Sequence, residues 1–162
     1  MMAEATLEQQ GNTLLQLASF RLAQEEYAVD ITAVQEIVRM SAITRVPRAP
    51  NFVEGVINLR GKIVPVIDLR KRFGMSTIEP TKTTRIVIIQ VEGKTVGLIV
   101  DAVSEVLRLN SNAVSPTPEM VASEVDAAFF KGVGQIGDRL IILLDLQRLL
   151  SVDELAALGN EV

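Results

Sequence analysis

The sequence predicts a mainly β protein made of two small β-barrel units, related by an internal repeat and packed together, with a short C-terminal α-helix. Three observations carry this prediction. Apolar residues occur in short runs rich in Val and Ile, the two halves of the chain align with each other, and a helix-capping motif follows the last apolar run. Together they indicate a single domain over residues 14–158, preceded by a disordered tail at residues 1–13.

The strands are predicted from the apolar runs, which begin at Leu14 and are bounded by Gly, Pro or charged residues. β-Branched side chains pack well on a pleated sheet and lose rotamer freedom in a helix, so such runs are typical of strands. Several short strands at close spacing favour small barrels or a sandwich. The runs are Ala28–Ile31, Ile63–Ile67, Ile86–Ile89, Val96–Val100 and Leu140–Leu144.

Two positions give detail within these strands. Glu25 and Glu26 separate two apolar runs, which predicts that they form the tip of a hairpin. Pro65 stands inside an apolar run. Because proline cannot donate a hydrogen bond to a ladder, its strand is expected to lie at a sheet edge or to carry a bulge there.

Two segments favour a helix. Ser151–Leu158 begins with a capping residue, and Glu154 follows Ser151 by three positions, as a capping box requires. Pro118–Ala128 is expected to form either a turn or two of helix or a loop.

An internal repeat connects the two halves of the chain. Tyr27–Met40 aligns without gaps with Val96–Leu109, and Phe52–Lys71 aligns with Phe129–Arg148. The second pair of segments is offset further along the chain than the first pair. The second copy therefore contains an insertion, which is placed at Ser115–Ala128.

The repeat predicts two units at about 20–80 and about 85–150, and the sequence leaves open whether they exchange terminal strands. A unit of about 70 residues buries little apolar area by itself. The two units are therefore expected to share an interface, and the groove between them is the first candidate for a binding site.

Composition narrows the class of function. The 162 residues include no His, Cys or Trp, which excludes Ser–His–Asp and Cys–His catalysis, structural zinc and thiol chemistry. We therefore expect no enzyme activity and no cofactor. A net charge of −4 with 4% aromatic residues is unfavourable for nucleic-acid binding. The polar N-terminus and the lack of a long apolar stretch predict a cytoplasmic protein without membrane insertion.

Several charged residues could act in binding. Arg60 lies in the turn-like segment Asn58–Lys62 and offers a planar five-donor fork that suits a carboxylate, although the segment is also explained as a plain turn. Glu36 is either a solvent-facing strand residue or a partner for an arginine that spacing alone does not identify. The basic run Arg70–Arg72 favours a solvated face or an acidic protein partner. Asp68 and Asp145 end strands at equivalent repeat positions, which fits capping rather than catalysis.

Four segments, read in order, resemble the CheW family of bacterial chemotaxis coupling proteins. They are FRLAQEEYAVDITAVQEIV, RVPRAPNFVEGVINLRGKIVPVIDLRKRFG, VGLIVDAVSEVL and GVGQIGDRLIILLDLQRLL. The resemblance covers about Leu14–Leu158, and its most specific part is Gly55–Leu69. It implies two five-stranded SH3-like β-barrels and a non-catalytic adaptor. Such adaptors link the cytoplasmic tips of chemoreceptors, the methyl-accepting chemotaxis proteins, to the histidine kinase CheA and control its autophosphorylation.

The same resemblance implies particular site residues. Arg60 matches the family arginine at the receptor-contacting surface, and Glu36 matches the glutamate that pairs with it. Further positions in this region, which are expected to line or shape the receptor groove, are Val34, Ile37, Gly55, Asn58 and Gly61. Pro116 and Met120 match the region of contact with the kinase.

The expected partners are therefore receptor tips and the regulatory domain of CheA. The protein is expected to be a monomer by itself and a stand-alone member of a receptor array. Two other classes of function stay open, a small-ligand-binding and a nucleic-acid-binding double barrel. A pocket with convergent polar groups would indicate the first class, and a basic surface with aromatic residues would indicate the second.

Overall fold

The computed structural model describes residues 13–116 and 129–150. The predicted helices at Pro118–Ala128 and Ser151–Leu158, together with residues 1–12 of the predicted tail, lie outside the described residues. Strands dominate the described part of the chain, which confirms the mainly β fold class. Within that part, no helix has the length and apolar character needed to span a membrane.

One sheet has six strands and takes them from both ends of the chain. They are β1 (Leu14–Leu22), β2 (Glu25–Asp30), β8 (Ala102–Asn110), β9 (Val114–Ser115), β10 (Phe130–Ile136) and β11 (Arg139–Leu144). Their order in the sheet is β8-β1-β2-β11-β10-β9. Since β9 is only two residues long, the six-stranded sheet stays close to the five strands expected for each unit.

The other sheet has five strands from the middle of the chain. They are β3 (Val34–Arg39), β4 (Val53–Leu59), β5 (Lys62–Asp68), β6 (Arg85–Val91) and β7 (Lys94–Val100). Their order is β3-β6-β7-β5-β4. Consecutive units at about 20–80 and 85–150 therefore do not describe the sheets. Parallel pairing of β5 with β7, and of β11 with β2, interleaves the two halves of the chain.

These two parallel contacts are equivalent under the internal repeat. Val66 pairs with Gly97 between β5 and β7, and Leu143 pairs with Ala28 between β11 and β2. Gly97 aligns with Ala28 in the first pair of repeated segments, and Leu143 aligns with Val66 in the second pair. The six-stranded sheet thus contains the β1–β2 hairpin from the first half of the chain. The five-stranded sheet contains the β6–β7 hairpin from the second half.

The outer antiparallel ladders repeat in the same way. Ile37 pairs with Val87 between β3 and β6, and Val106 pairs with Ala18 between β8 and β1. Val106 follows Ile37 by the same number of positions as Val87 follows Ala18, and each ladder has a register shift close to this pair. The predicted repeat therefore holds at the level of individual cross-strand pairs.

The first hairpin turns earlier than predicted. Leu22 pairs with Glu25 and Arg21 with Glu26, so both glutamates belong to β2, and Ala23 with Gln24 form the tip. Ala23 has φ of 56°, which a two-residue hairpin turn requires. Polarity indicated a turn in this region, but the backbone pairing decided its position.

Pro65 lies in a strand that has a neighbour on each side, because β5 stands between β7 and β4. The first alternative, an edge strand, is therefore wrong for β5 as a whole. The second, a bulge at Pro65, is not found either, because Pro65 pairs with Val56 and the register shift of this ladder lies between Val53 and Gly55. The pairing with β7 begins only at Val66, so at Pro65 the strand has the β4 partner Val56 alone. Proline is accommodated because its missing N–H falls just outside the parallel ladder.

Two four-residue helices follow equivalent strands, α1 at Leu69–Arg72 and α2 at Leu146–Leu149. The Asp68 carboxylate accepts a hydrogen bond from the Arg70 backbone N–H at 2.9 Å, and the Asp145 carboxylate accepts one from the Arg148 N–H at 3.2 Å. The predicted capping role of both aspartates is confirmed.

The largest core cluster contains residues from both sheets. Phe20 and Tyr27 from the six-stranded sheet pack in one buried cluster with Ile67, Val87 and Leu98 from the five-stranded sheet. Two smaller clusters each lie within one sheet. A shared core of this kind is what two small units need for stability.

Candidate functional site

The candidate site begins at the β4–β5 hairpin, whose turn has a defined geometry. Leu59 pairs with Lys62, which leaves Arg60 and Gly61 as the two turn residues, with φ of 51° and 86°. Positive φ at both positions is the requirement of a type I′ turn. The Asn58 side-chain oxygen accepts a hydrogen bond from the Gly61 N–H at 2.7 Å. Asn58 and Gly61 therefore hold the turn that presents Arg60.

Arg60 reaches across to strand β3. Its guanidinium donates to Glu36 through both terminal nitrogens, with Nη1 3.1 Å from Oε1 and Nη2 on Oε2. The Arg60 side chain is 71% exposed and that of Glu36 is 28% exposed. The partner that sequence spacing left unidentified is thus settled, and the two predicted residues lie in direct contact.

The ion pair lies where the two outer strands of the five-stranded sheet meet. β3 and β4 are at opposite ends of the strand order, yet Glu36 of β3 contacts the turn that follows β4. Nearby, Thr44 and Val56 exchange two backbone hydrogen bonds of 2.8 and 2.9 Å. Side chains therefore join β3 to the turn after β4, and main-chain hydrogen bonds join β4 to the segment that follows β3.

The contact also fixes the charge state of both groups. Hydrogen bonding from Arg60 lowers the pKa of the Glu36 carboxyl, and hydrogen bonding to Glu36 raises the pKa of the Arg60 guanidinium. Both groups are therefore charged at neutral pH. Exposed ion pairs of this kind contribute little to folding stability, so a change of charge at Arg60 is expected to leave the fold intact.

Apolar residues lie close in the chain to the two residues of the ion pair. Ile37 follows Glu36 and is 43% exposed, although its cross-strand partner Val87 is buried. Val34, also on β3, is half-buried and packs against the core shared by the two sheets. Ile63, immediately after Gly61 and Lys62, is 47% exposed and was not singled out from the sequence. The uninterrupted apolar run of residues 63–67 gives no signal in the sequence that Ile63 is exposed.

Gly55 allows the backbone of β4 to pass close to Thr44 near the site. It is buried, and with φ of 148° it has a conformation that other residues rarely adopt. A Cβ at Gly55 would overlap the Thr44 carbonyl, the group that pairs with Val56. Gly132 has the same relation to Ser115 in the six-stranded sheet. Gly55 therefore shapes the site and offers no side chain to a partner.

Of the two predicted kinase-contact residues, Pro116 lies apart from this cluster in the sequence and in the sheets. Pro116 is exposed and follows β9 of the six-stranded sheet. Met120 lies outside the described residues. The structure thus brings together Glu36 and Arg60, with Ile37 adjoining Glu36 in β3 and Asn58 and Gly61 in the turn that carries Arg60, and it does not bring Pro116 to them.

The basic run Arg70–Arg72 is engaged within the protein, which differs from the solvated face expected. Arg70 donates to Asp101 at 3.0 Å from Nε and 2.5 Å from Nη2, and Lys71 forms an ion pair with Glu54. The Arg72 guanidinium lies 4.5 Å from the Phe52 ring centroid and 4.4 Å from that of Phe129. These three cations therefore form contacts within the protein, which are expected to stabilise the fold.

A cavity of about 330 Å³ lies beside this network. Arg70 lowers the pKa of Asp101 by hydrogen bonding, while burial raises the pKa of the Asp68 carboxyl. The charged groups of the cavity wall are largely paired with one another. Its lining includes Arg45, Glu54, Asp68, Arg70, Lys71 and Asp101.

Comparison with known proteins connects this geometry to a family. Residues 16–154 match the CheW-like domain family. The chain is 39% identical over 141 residues to the chemotaxis protein CheW of Klebsiella aerogenes, covering 87% of this chain and 84% of that protein. It is 34% identical over 152 residues to the chemotaxis protein CheW of Helicobacter pylori, covering 93% and 91%.

A solved structure gives the same result. The crystal structure of the scaffolding protein TtCheW from Thermoanaerobacter tengcongensis superposes with a TM-score of 0.80 at 42% sequence identity, over 88% of this chain and 96% of that one. Fold, sequence and coverage agree across nearly the whole length of both proteins. The chain therefore belongs to the CheW family of chemotaxis proteins.

Proposed function

We propose that this protein is a non-catalytic adaptor that couples chemoreceptor cytoplasmic tips to the histidine kinase CheA and thereby controls CheA autophosphorylation. The observation that supports it best is the exposed Arg60–Glu36 ion pair, together with the exposed Ile37 that follows Glu36 in β3. A charged fork and an exposed aliphatic side chain in the same part of the sheet suit a partner helix that offers both an apolar stripe and polar groups.

The receptor surface we propose consists of Val34, Glu36, Ile37, Asn58, Arg60 and Gly61, with Gly55 beneath it. Val34 and Ile37 would supply apolar contact. Glu36 and Arg60 would orient the partner through charge and hydrogen bonds. The protein would act in the cytoplasm and reach the membrane only through receptor arrays. It would need no cofactor, since adaptors act by positioning their partners.

The deciding experiment is CheA autophosphorylation with receptor membranes and CheA from the same organism, with and without this protein. Kinase activation that requires all three components is the expected result. Unchanged kinase activity with a folded protein sample would overturn the proposal. Thermal stabilisation by a small molecule or salt-sensitive retention on RNA would then support the other classes of double-barrel function.

The kinase contact is proposed separately, at Pro116 and Met120. Substitution of both by Ala is expected to reduce capture of this protein by the CheA regulatory domain and to leave receptor binding unchanged. Equal capture of the variant and the unaltered protein would remove these residues from the kinase surface.

A further inference from the structure

Two arginines face each other on the outer ladder of the five-stranded sheet. Arg39 of β3 pairs directly with Arg85 of β6. Residues directly opposite in an antiparallel ladder have Cβ atoms about 4.5–5.5 Å apart on the same face of the sheet. Like charges in this position destabilise a sheet, so the pair needs an explanation other than folding.

No carboxylate neutralises the two arginines within the part of the chain that the structure describes. Arg39 is exposed, and its side chain forms no hydrogen bond or ion pair among those residues. Arg85 is half-buried, and its Nη1 donates to the backbone carbonyls of Lys82 at 2.9 Å and Thr84 at 2.8 Å. Arg60, Arg70 and Arg139, in contrast, each contact a carboxylate.

The repeat provides an internal comparison. The equivalent pair in the six-stranded sheet is Arg108 of β8 opposite Gln16 of β1. There a neutral side chain faces the cation, and no repulsion arises. The facing cations are therefore a property of this ladder of the five-stranded sheet and not of the repeated fold.

The arginine pair continues the exposed surface that carries Ile37. Ile37 and Arg39 are two residues apart in β3, and both are exposed. Alternation places them on the same face, about 7 Å apart along the strand. One turn of an α-helix advances about 5.4 Å. A helix lying along β3 with an apolar residue on Ile37 would therefore place its next turn over Arg39.

We propose that Arg39 and Arg85 together bind an acidic side chain of the partner helix, located one turn from the apolar residue that contacts Ile37. This inference rests on the proposed receptor-binding function and adds the chemistry of the partner to it. The half-buried guanidinium of Arg85 would provide a fixed donor, and the exposed Arg39 would close on the carboxylate from the other strand.

The test compares Arg39→Gln and Arg85→Gln with Arg108→Gln, which removes an exposed arginine from the equivalent position of the other sheet. The probe is a cytoplasmic-tip fragment of a chemoreceptor from the same organism, with binding measured by calorimetry at low and high salt. We expect each of the first two substitutions to weaken binding about two- to fivefold, as for a single exposed ion pair. Binding should also become less sensitive to salt, and Arg108→Gln should leave it unchanged.

Thermal stability is expected not to fall when binding is weakened. Removing one of two facing cations relieves repulsion, so the Tm of Arg39→Gln should equal or exceed that of the unaltered protein. Weaker binding with an undiminished Tm supports the inference. Binding equal to that of Arg108→Gln, or a loss of binding that follows a loss of Tm in both variants, overturns it.

The partner side of the contact is tested by charge exchange. Arg39→Glu should weaken binding, and Lys at the interacting Glu or Asp of the receptor fragment should restore it. If Lys at none of the acidic positions beside the apolar stripe restored binding, this inference would be overturned, whereas the proposed receptor function would stand. If neither the unaltered protein nor Arg108→Gln bound the fragment, the proposed receptor function would fall and this inference with it.

Discussion

Arg139 donates to Glu105 at 2.8 Å, and this contact in the six-stranded sheet reproduces the one between Arg60 and Glu36 in the five-stranded sheet. Glu105 is the repeat equivalent of Glu36, but Gly137 occupies the position equivalent to Arg60. Arg139 also donates to Glu26 at 2.6 Å. The two sheets thus contain a similar arginine–glutamate ion pair, but the arginine stands at a different position of the hairpin in each. Substitution of Arg139 can therefore serve as a control for substitution of Arg60.

Arg60→Gln is expected to weaken receptor binding at least about tenfold, because it removes the charged fork from the exposed turn. Arg139→Gln removes the similar arginine–glutamate ion pair of the other sheet and should bind normally. Co-sedimentation with receptor membranes measures both, and circular dichroism checks that both remain folded. Equal binding by the two variants would exclude Arg60 from the receptor surface.

Exchange of the two charges tests whether Arg60 and Glu36 act as a unit. Arg60→Glu alone should reduce receptor binding, and the double variant Glu36→Arg with Arg60→Glu should recover part of the loss because the pair is restored in reverse. A double-mutant cycle on the same binding assay gives the coupling. Strictly additive losses would show that the two side chains contribute independently.

Gly55→Ala is expected to reduce the free energy of unfolding strongly. The backbone conformation at φ of 148° by itself costs a non-glycine residue about 1–3 kcal/mol, and the new Cβ would in addition overlap the Thr44 carbonyl. Gly93→Ala is the control, because Gly93 has φ of 79° and open space where the new methyl group would lie. Urea denaturation should show a loss of about 1–2 kcal/mol there and a larger loss for Gly55→Ala. Equal losses would show that the contact with Thr44 is unimportant.

Arg72→Ala is expected to destabilise the packing of the two halves. Its guanidinium lies between the rings of Phe52 and Phe129, which are repeat equivalents, and Nε donates to the Leu149 carbonyl at 3.1 Å. Two cation–π contacts correspond to about 1–3 kcal/mol of unfolding free energy. Arg148→Ala, which removes an exposed arginine from α2, should cost less than about 0.5 kcal/mol. Denaturation curves that coincide for the two variants would contradict this role.

Asp101 and Asp68 should respond to pH in opposite directions. Arg70 lowers the pKa of Asp101 in the folded protein, so the stabilisation is present above the unfolded-state pKa and is lost as pH falls through the folded-state pKa. Burial raises the pKa of Asp68, so its ionisation lowers stability once pH rises above the unfolded-state pKa, and the full cost is reached above the folded-state pKa.

The corresponding variants separate the two effects. Asp101→Asn should lower the Tm at pH 7 and remove part of the loss of stability at acidic pH. Asp68→Asn retains an oxygen that can accept from the Arg70 N–H and should leave the Tm at pH 7 unchanged or raised. Thermal melts at neutral and acidic pH measure both variants. A lowered Tm for Asp68→Asn at pH 7 would show that its ionised form stabilises the fold.

Much of the fold follows from local sequence. Short Val- and Ile-rich runs predicted the strands because β-branched side chains favour a pleated surface. The capping of α1 and α2 by Asp68 and Asp145 was predictable because a cap needs only its own side chain and the next turn of backbone. The Asn58–Gly61 turn was predictable for the same reason, since positive φ at Gly61 is a local requirement.

What the sequence by itself determined, then, is the set of strands, the capped ends, the chemistry of the β4–β5 turn and the repeat with its two offsets. Only the tertiary structure decided which strands share a sheet. The pairing of Val66 with Gly97 and of Leu143 with Ala28 joins residues far apart in the chain, and no local propensity encodes it.

The same reason explains the site. Tertiary structure selected Glu36 as the partner of Arg60, turned Arg70, Lys71 and Arg72 into internal contacts, and placed Arg39 opposite Arg85. Pairing across a sheet depends on register, and register is set by burial of a whole strand face rather than by any one residue. The sequence therefore shows which charged residues are present, whereas the register of the folded sheets determines which of them lie in contact.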